Sequence, residues 1–162
     1  MPGGTVRLRP ALAADEPFQF DLFRAHSIGM LQLGGLPEAM VDNLAAMQYR
    51  ARTRSYRNSY PDARWSIIEL AGVPVGELIE HDEADAIYIV DVTLRPEQRR
   101  RGIGSALVRS VIAAGAPRRG VRALVLVNNE VSLGMFRGLG FVDTGQDGAH
   151  VELRWRPSVV TD

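Results

Sequence analysis

Apolar and polar positions alternate at the start of the chain, where Val6 and Leu8 are interleaved with Arg7 and Arg9, the pattern of a half-buried strand. The period then lengthens. Asp15, with Pro17 two residues on, predicts a helix reaching about Ala25, and "HSIGMLQLGG" (26–35) predicts a loop. In "LPEAMVDNLAAMQYRARTRSY" (36–56), Met40, Leu44, Met47 and Ala51 recur at helical spacing, which predicts an amphipathic helix with that stripe inward. "WSIIEL" (65–70) and "VPVGELIE" (73–80) predict two strands joined as a hairpin through "AGVP". "HDEAD" (81–85) is an acidic turn, and "AIYIVDVTL" (86–94) is an apolar strand ending at Arg95-Pro96. Ile103, Leu107, Val111 and Ala114, with Ala106 beside them, mark a helix that "GAPRRG" (115–120) terminates. "VRALVLV" (121–127) reads as a strand covered on both faces. "NNEVSLGMFRGLG" (128–140) predicts a short helix opened by an Asn cap and closed by Gly140 in a left-handed conformation. "FVDTG" and "AHVELRW" are two last strands joined through "QDG".

This order contains one strand–helix–strand unit, which places 86–94 and 121–127 parallel with a right-handed crossover. The outer strands read as hairpins. The fold class expected is therefore α/β (α+β), a mixed sheet with helices on its faces. Its 162 residues suit a single domain (1–162) with short tails at 1–4 and 157–162. Formal net charge is zero, so no global field draws nucleic acid or an anionic membrane as a partner. The absence of cysteine removes disulfides and any sulfur nucleophile. All 19 basic residues are arginine, which excludes Schiff-base chemistry and a Walker-type lysine. His26, His81 and His150 show no metal-ligand spacing, so no metal is expected. With no apolar run near the roughly 20 residues of a membrane span, and no signal-peptide core, a cytoplasmic protein is expected.

The chemistry concentrates in "LRPEQRRRGIGSALV" (94–108), where Arg95, Arg99, Arg100 and Arg101 precede Gly102 and Gly104 at the start of a helix. A helix start leaves N–H groups without intrahelical partners and adds the positive end of the dipole, so it suits a phosphate. Glycines let a diphosphate approach the amides, and arginines add charge-assisted hydrogen bonds. A Walker loop is excluded for want of Lys-Ser/Thr, and the dinucleotide fingerprint fails because Leu107 stands where a third small residue belongs.

"RRRGIG" (99–104), following an apolar strand and a proline-bearing turn, resembles the Arg/Gln-x-x-Gly-x-Gly/Ala signature of the GNAT superfamily of acyl-CoA-dependent N-acyltransferases. The resemblance continues in "NNEVSLGMFRGLGF", with Asn129, Ser132, Phe136 and Gly140-Phe141 at corresponding places. It implies a mostly antiparallel sheet of about seven strands with a splayed parallel pair at its centre and about four helices. It further implies acetyl-CoA as co-substrate, cradled by the amides of Arg100, Arg101, Gly102, Ile103, Gly104 and Ser105. Arg99 would support the turn, Val92 and Leu94 would pair with the pantetheine arm, and Asn129 and Phe136 would complete the coenzyme A site. Dimers are common in the family, so a homodimer is possible.

Acyl transfer to an amine requires loss of a proton. An alkylamine with a pKa near 10 is only about a thousandth neutral at pH 7, roughly 4 kcal/mol of disadvantage that a positioned base can recover in part. Asp91 is the candidate base, since it interrupts an apolar strand where desolvation would raise its pKa. The alternative is a structural aspartate paired with an arginine. Glu69 and Glu152 are minor candidates. The amide of Val92 is the candidate oxyanion donor. Phe136 stands where the family commonly has a tyrosine, so the general acid is unassigned. Gln48, Tyr49, Arg52 and Tyr56 could line the acceptor pocket, on a helix face roughly opposite the Met40–Met47 stripe. An arginine there hints at an acceptor bearing a carboxylate or phosphate. The acceptor expected is a small-molecule amine or a peptide or protein amine. Two alternatives remain open: a non-catalytic acyl-CoA-binding or sensing module, and another diphosphate-binding protein.

Overall fold

The computed structural model describes residues 4–32, 34–115 and 120–157. Most of the expected frayed ends, and residues 116–119 of the expected helix terminator, lie outside the described residues. Seven strands form one sheet in the order β1-β2-β3-β4-β5-β7-β6: β1 (Val6–Pro10), β2 (Arg64–Leu70), β3 (Val73–Asp82), β4 (Ala86–Leu94), β5 (Gly120–Leu126), β6 (Val142–Asp147) and β7 (His150–Trp155). Every neighbouring pair is antiparallel except β4 and β5. Four helices accompany the sheet, α1 (Glu16–Gln32), α2 (Glu38–Ser59), α3 (Ile103–Gly115) and α4 (Glu130–Gly138). The architecture is the expected one.

Two local expectations fail. The stretch 26–32 is helix rather than loop, because α1 runs on to Gln32. A single interior glycine, Gly29, costs a helix only about 1 kcal/mol. The break comes at Gly34-Gly35, with Gly35 at φ +69°, ahead of Pro37. On α2 the inward face is also different. Val41, Ala45 and Tyr49 are buried, while Met40 and Met47 are 50% and 60% exposed. The two stripes lie on roughly opposite sides of the helix, and the sheet selects the one whose polar member Arg52 finds partners beneath it. Elsewhere the elements fall where expected, though β3 runs on through His81 and Asp82 and β6 through Gln146 and Asp147, positions expected in turns. The β2–β3 hairpin turns at Ala71-Gly72, both at positive φ, as a two-residue loop matched to strand twist requires. Asn129 accepts from the Ser132 amide at 3.2 Å to cap α4, and Gly140 at φ +97° closes it.

The core under α3 and α4 joins Ile68, Val75, Leu78, Ile87 and Ile89 of the sheet to Ile103, Leu107, Val108, Val111, Leu133 and Phe136. Helix α1 packs along α2, and the Arg52 side chain of α2 meets β3 and β4 on the opposite face. The feature that positions the site is the divergence of β4 from β5. Parallel pairing runs only from Ala86↔Gly120 to Ile89↔Ala123. Immediately beyond, β4 bulges against β3, Ile79 facing Asp91 but Glu80 facing Ile89, so Val90 is the inserted residue. A bulge bends its strand and increases its twist. Strand β5 meanwhile stays with β7 to Leu126↔His150, and a wedge opens between the two strands.

Candidate active site at the parted strands

Strand alternation decides which amides face the wedge. Arg95 N–H donates to Val75 O at 2.8 Å, on the β3 side. Alternate residues address opposite edges, so Thr93 and Asp91 also turn their amides to β3, whereas Val92 and Leu94 present theirs to the gap left by β5. Their positions flank a cleft of about 540 Å³. Its second wall is the arginine–glycine loop. After a 3-10 turn at Pro96–Gln98, Arg100 at φ +61° and Gly102 at φ +79° swing the chain into α3. The first helical amide to find a backbone acceptor is Ala106, on Gly102 O at 3.0 Å, leaving the preceding N–H groups as a donor cradle. A Cβ on Gly102 would meet nothing within 4 Å, so its glycine serves the backbone conformation. A Cβ on Gly104 would sit 3.3 Å from Met135 Sδ and 4.0 Å from Leu94 Cδ1, on the cleft wall.

Of the residues expected at a coenzyme A site, Val92, Leu94, Arg99, Arg100, Gly102, Gly104, Ser105 and Asn129 line this cleft. Three do not. Arg101 is exposed and donates to Gln98 Oε1 at 2.9 Å. Ile103 is fully buried, and Phe136 turns into the core edge-to-face on Phe141, ring centroids 5.0 Å apart. The α4 residues that do reach the cleft are Val131, Ser132 and Met135; of these only Ser132 stands out in the sequence, as a motif position without an assigned role.

A second, smaller pocket of about 210 Å³ adjoins the cleft, the two sharing His26 and Thr93. Leu22 and Phe23 of α1 and Arg52 and Tyr56 of α2 form its walls, and Glu77 and Asp91 complete it from the sheet. Register explains the convergence: Glu77 is opposite Thr93 and Ile79 opposite Asp91, so both carboxyl groups rise on the face that α2 covers. Arg52 Nη2 donates to Asp91 Oδ2 at 2.6 Å and to Glu77 Oε2 at 3.1 Å. Gln19 Nε2 donates to Glu77 Oε1 at 2.7 Å, and the Thr93 hydroxyl lies 3.2 Å from each Asp91 oxygen. The guanidinium sits over the rings of Tyr56 (5.1 Å) and Phe23 (5.6 Å).

This cluster revises several expectations. Asp91 is paired with an arginine, and its side chain remains 24% exposed. The carboxyl that burial pushes above the usual carboxylate pKa is Glu77, 1% exposed, with the pull of Arg52 and Gln19 in the opposite sense. Arg52 and Tyr56 line the pocket, but Tyr49 is buried against Phe20 and Phe23 and Gln48 points to solvent. Their face of α2 is the inward one. Arg52 is no docking point for an acidic acceptor, since its Nη2 serves two carboxylates and its Nη1 is buried. His26 links both cavities and lies 3.3 Å through Nδ1 from Arg99 Nη2. His81 packs at a tilt against Tyr60, ring centroids 5.0 Å apart, and His150 is exposed at the start of β7. Glu69 pairs with Arg9, and Glu152 with Arg154; neither borders the two cavities. Among the described residues no cluster of His, Asp and Glu could hold a metal ion, and no helix is long and apolar enough to cross a membrane.

Comparison with solved structures gives the same architecture at low identity. An acetyltransferase of Thermus thermophilus superposes with a TM-score of 0.69 at 21% identity, covering 96% of this chain and 99% of that one. The PaiA N-acetyltransferase of Thermoplasma acidophilum, solved with coenzyme A, gives 0.68 at 16%, covering 94% and 99%. A GNAT family acetyltransferase of Elizabethkingia anophelis with acetyl-CoA bound gives 0.61 at 14%, covering 93% and 97%. No curated protein sequence matches the chain. The model of the acetyltransferase (GNAT) family matches residues 36–141, a span that holds α2, the parted strands, the arginine–glycine loop and α4. With that match laid over the same cleft that the strand divergence opens, the chain belongs to the acetyltransferase (GNAT) family.

Proposed function

We propose that this chain is an N-acetyltransferase that uses acetyl-CoA and a primary amine in a ternary complex. The observation that carries the reading is the junction of two cavities at Thr93: a donor-lined cleft on one side and a carboxylate-bearing pocket on the other. The residues present fit the co-substrate. The cradle of α3 amides with Arg99 and Arg100 suits a pyrophosphate, and the outward amides of Val92 and Leu94 suit an extended amide-bearing arm. Acetyl-CoA supplies a thioester, whose C–S bond breaks as the amine nitrogen forms the new C–N bond, the electron pair leaving on sulfur.

Asp91 takes the proton that the amine must lose, directly or through water. It is the more exposed of the two carboxylates, and its Oδ1 meets only the Thr93 hydroxyl, whereas both Glu77 oxygens are engaged. Arg52 holds Asp91 in place through Nη2. The Val92 amide donates to the carbonyl oxygen as negative charge develops there. A second reading, a non-catalytic acyl-CoA-binding or sensing module, is favoured by Phe136, which has no hydroxyl and lies in the core.

Asp91→Asn tests the assignment with thiol release from acetyl-CoA across a panel of amines. Turnover should fall about 100-fold or more, within the range of lost general-base catalysis, while acetyl-CoA affinity holds within a few-fold. Loss of stability in step with activity supports a structural Asp91 instead. Tight acetyl-CoA binding without thiol release on any amine supports the sensor.

A further inference from the structure

We infer that the smaller pocket selects a compact primary amine that carries no acidic group, taken up in its ammonium form; the inference rests on the acyl-transfer reading above. Among the described residues Arg52 is the one arginine lining that pocket, and two carboxylates already hold it. Its Nη2 is shared by Asp91 Oδ2 and Glu77 Oε2, its plane is covered by the Tyr56 and Phe23 rings, and its Nη1 is buried with no hydrogen-bond partner. His26 sits at the seam with the cleft, its Nδ1 3.3 Å from Arg99 Nη2. Arg99 itself lies on the cleft side.

The charge balance follows. Two carboxyl groups face one guanidinium, so the pocket is singly negative with Glu77 ionised and neutral with Glu77 protonated. In neither state is it positive. An entering ammonium meets Asp91 as its nearest unspent acceptor, and an entering carboxylate or phosphate meets the same group as a like charge. At about 210 Å³ the pocket is smaller than the roughly 300 Å³ at which drug-sized sites begin. Leu22, Phe23 and Tyr56 give it apolar walls, matched to a short alkyl or aryl body behind the nitrogen.

The test uses three probes of one skeleton at saturating acetyl-CoA: 2-phenylethylamine, phenylalaninamide and phenylalanine. Thiol release gives kcat/KM, and calorimetric titration into the coenzyme A-bound protein gives binding independently of turnover. We expect 2-phenylethylamine to exceed phenylalanine about tenfold or more in both, with phenylalaninamide within a few-fold of the amine. In the binding arm, Asp91→Asn should erase most of the amine-over-acid ratio. Phenylalanine equal to or better than the amine overturns the inference and leaves acyl transfer standing. Phenylalaninamide as poor as phenylalanine also overturns it, because bulk and not charge would then be selecting. Preferential amine binding without thiol release on any probe keeps the pocket assignment and sinks the acyl-transfer reading. The absence of both binding and turnover with all three probes overturns the inference.

Discussion

Replacing Arg52 by methionine keeps a flexible apolar stem over Phe23 and Tyr56 and removes the charge that two carboxylates share. The cost can be worked from the contacts. Nη2 lies 3.1 Å from Glu77 and 2.6 Å from Asp91, and at an effective dielectric of about 20 a pair at 4 Å is worth about 4 kcal/mol. Against that loss stands the desolvation of Arg52 itself, whose side chain is 15% exposed in the folded chain. Removing one partner of a buried ion pair costs about 3–5 kcal/mol, and the cost should be greatest at high pH, where ionisation of Glu77, 1% exposed beside Asp91, is least compensated.

The cost should shrink in acid. A carboxyl whose folded pKa lies above its unfolded value contributes stability fully below the unfolded value, here about 4.5, and loses it as pH rises through the folded value. Glu77 is such a group already, and loss of Arg52 moves its folded value further up. The variant's deficit should therefore grow from pH 5 to pH 8, with a limiting slope of about 1.4 kcal/mol per pH unit for one proton. Urea unfolding of both proteins across that range, with unchanged m-values, reads it directly. A deficit below about 1 kcal/mol that is the same at pH 5 and pH 8 would refute the reasoning. The guanidinium would then not be holding the carboxylates, and the charge balance assigned to the pocket would be wrong.

The two loop glycines should separate stability from binding. Gly102→Ala places a Cβ at φ +79° and should cost about 1–2 kcal/mol in thermal or urea unfolding, with no steric contact to blame. Gly104→Ala lies in α3, where alanine is the better helix former, so stability should change by less than about 1 kcal/mol while acetyl-CoA affinity measured by calorimetry falls several-fold, the methyl reaching the cleft beside Met135 and Leu94. Equal effects of the two on affinity would count against a cradle formed at Gly104. Outside the two cavities, Asp15 accepts from Arg9 through both oxygens at 2.8 Å and from the Leu12 amide at 2.7 Å, and the Arg9 guanidinium holds its pKa down at about 2 against an ordinary 3.8. A lowered folded pKa stabilises above 3.8 and is lost as pH falls through about 2, so acid unfolding of Asp15→Asn should show a shallower pH dependence than the parent in that window.

What sequence patterning could and could not see follows from where each signal resides. Strand β4, helix α3 and the loop between them are consecutive, and their meaning depends on local properties: an apolar run, a helix start, two glycines. They are legible for that reason. The pocket is made of pieces from α1, α2, β3 and β4, and their meeting depends on register. Glu77 illustrates the limit. In "VPVGELIE" it interrupts an apolar strand much as Asp91 does in "AIYIVDVTL", so the rule that selects one should select both. Only the pairing of Glu77 with Thr93 across β3 and β4 shows that the two carboxylates share a face and a single guanidinium. The misassigned face of α2 has the same origin. Arg52 reads as a free cation at an acceptor pocket because a charged side chain is rarely buried unpaired, and its partners stand 25 and 39 positions away in sequence. Val90, the bulged residue that parts the strands, is an apolar residue in an apolar strand, with no glycine or proline to announce it. A carboxylate inside an apolar strand therefore signals a buried partner before it signals a base, and in this fold the ion pair, the proposed base and the cleft all depend on the same one-residue shift between β3 and β4.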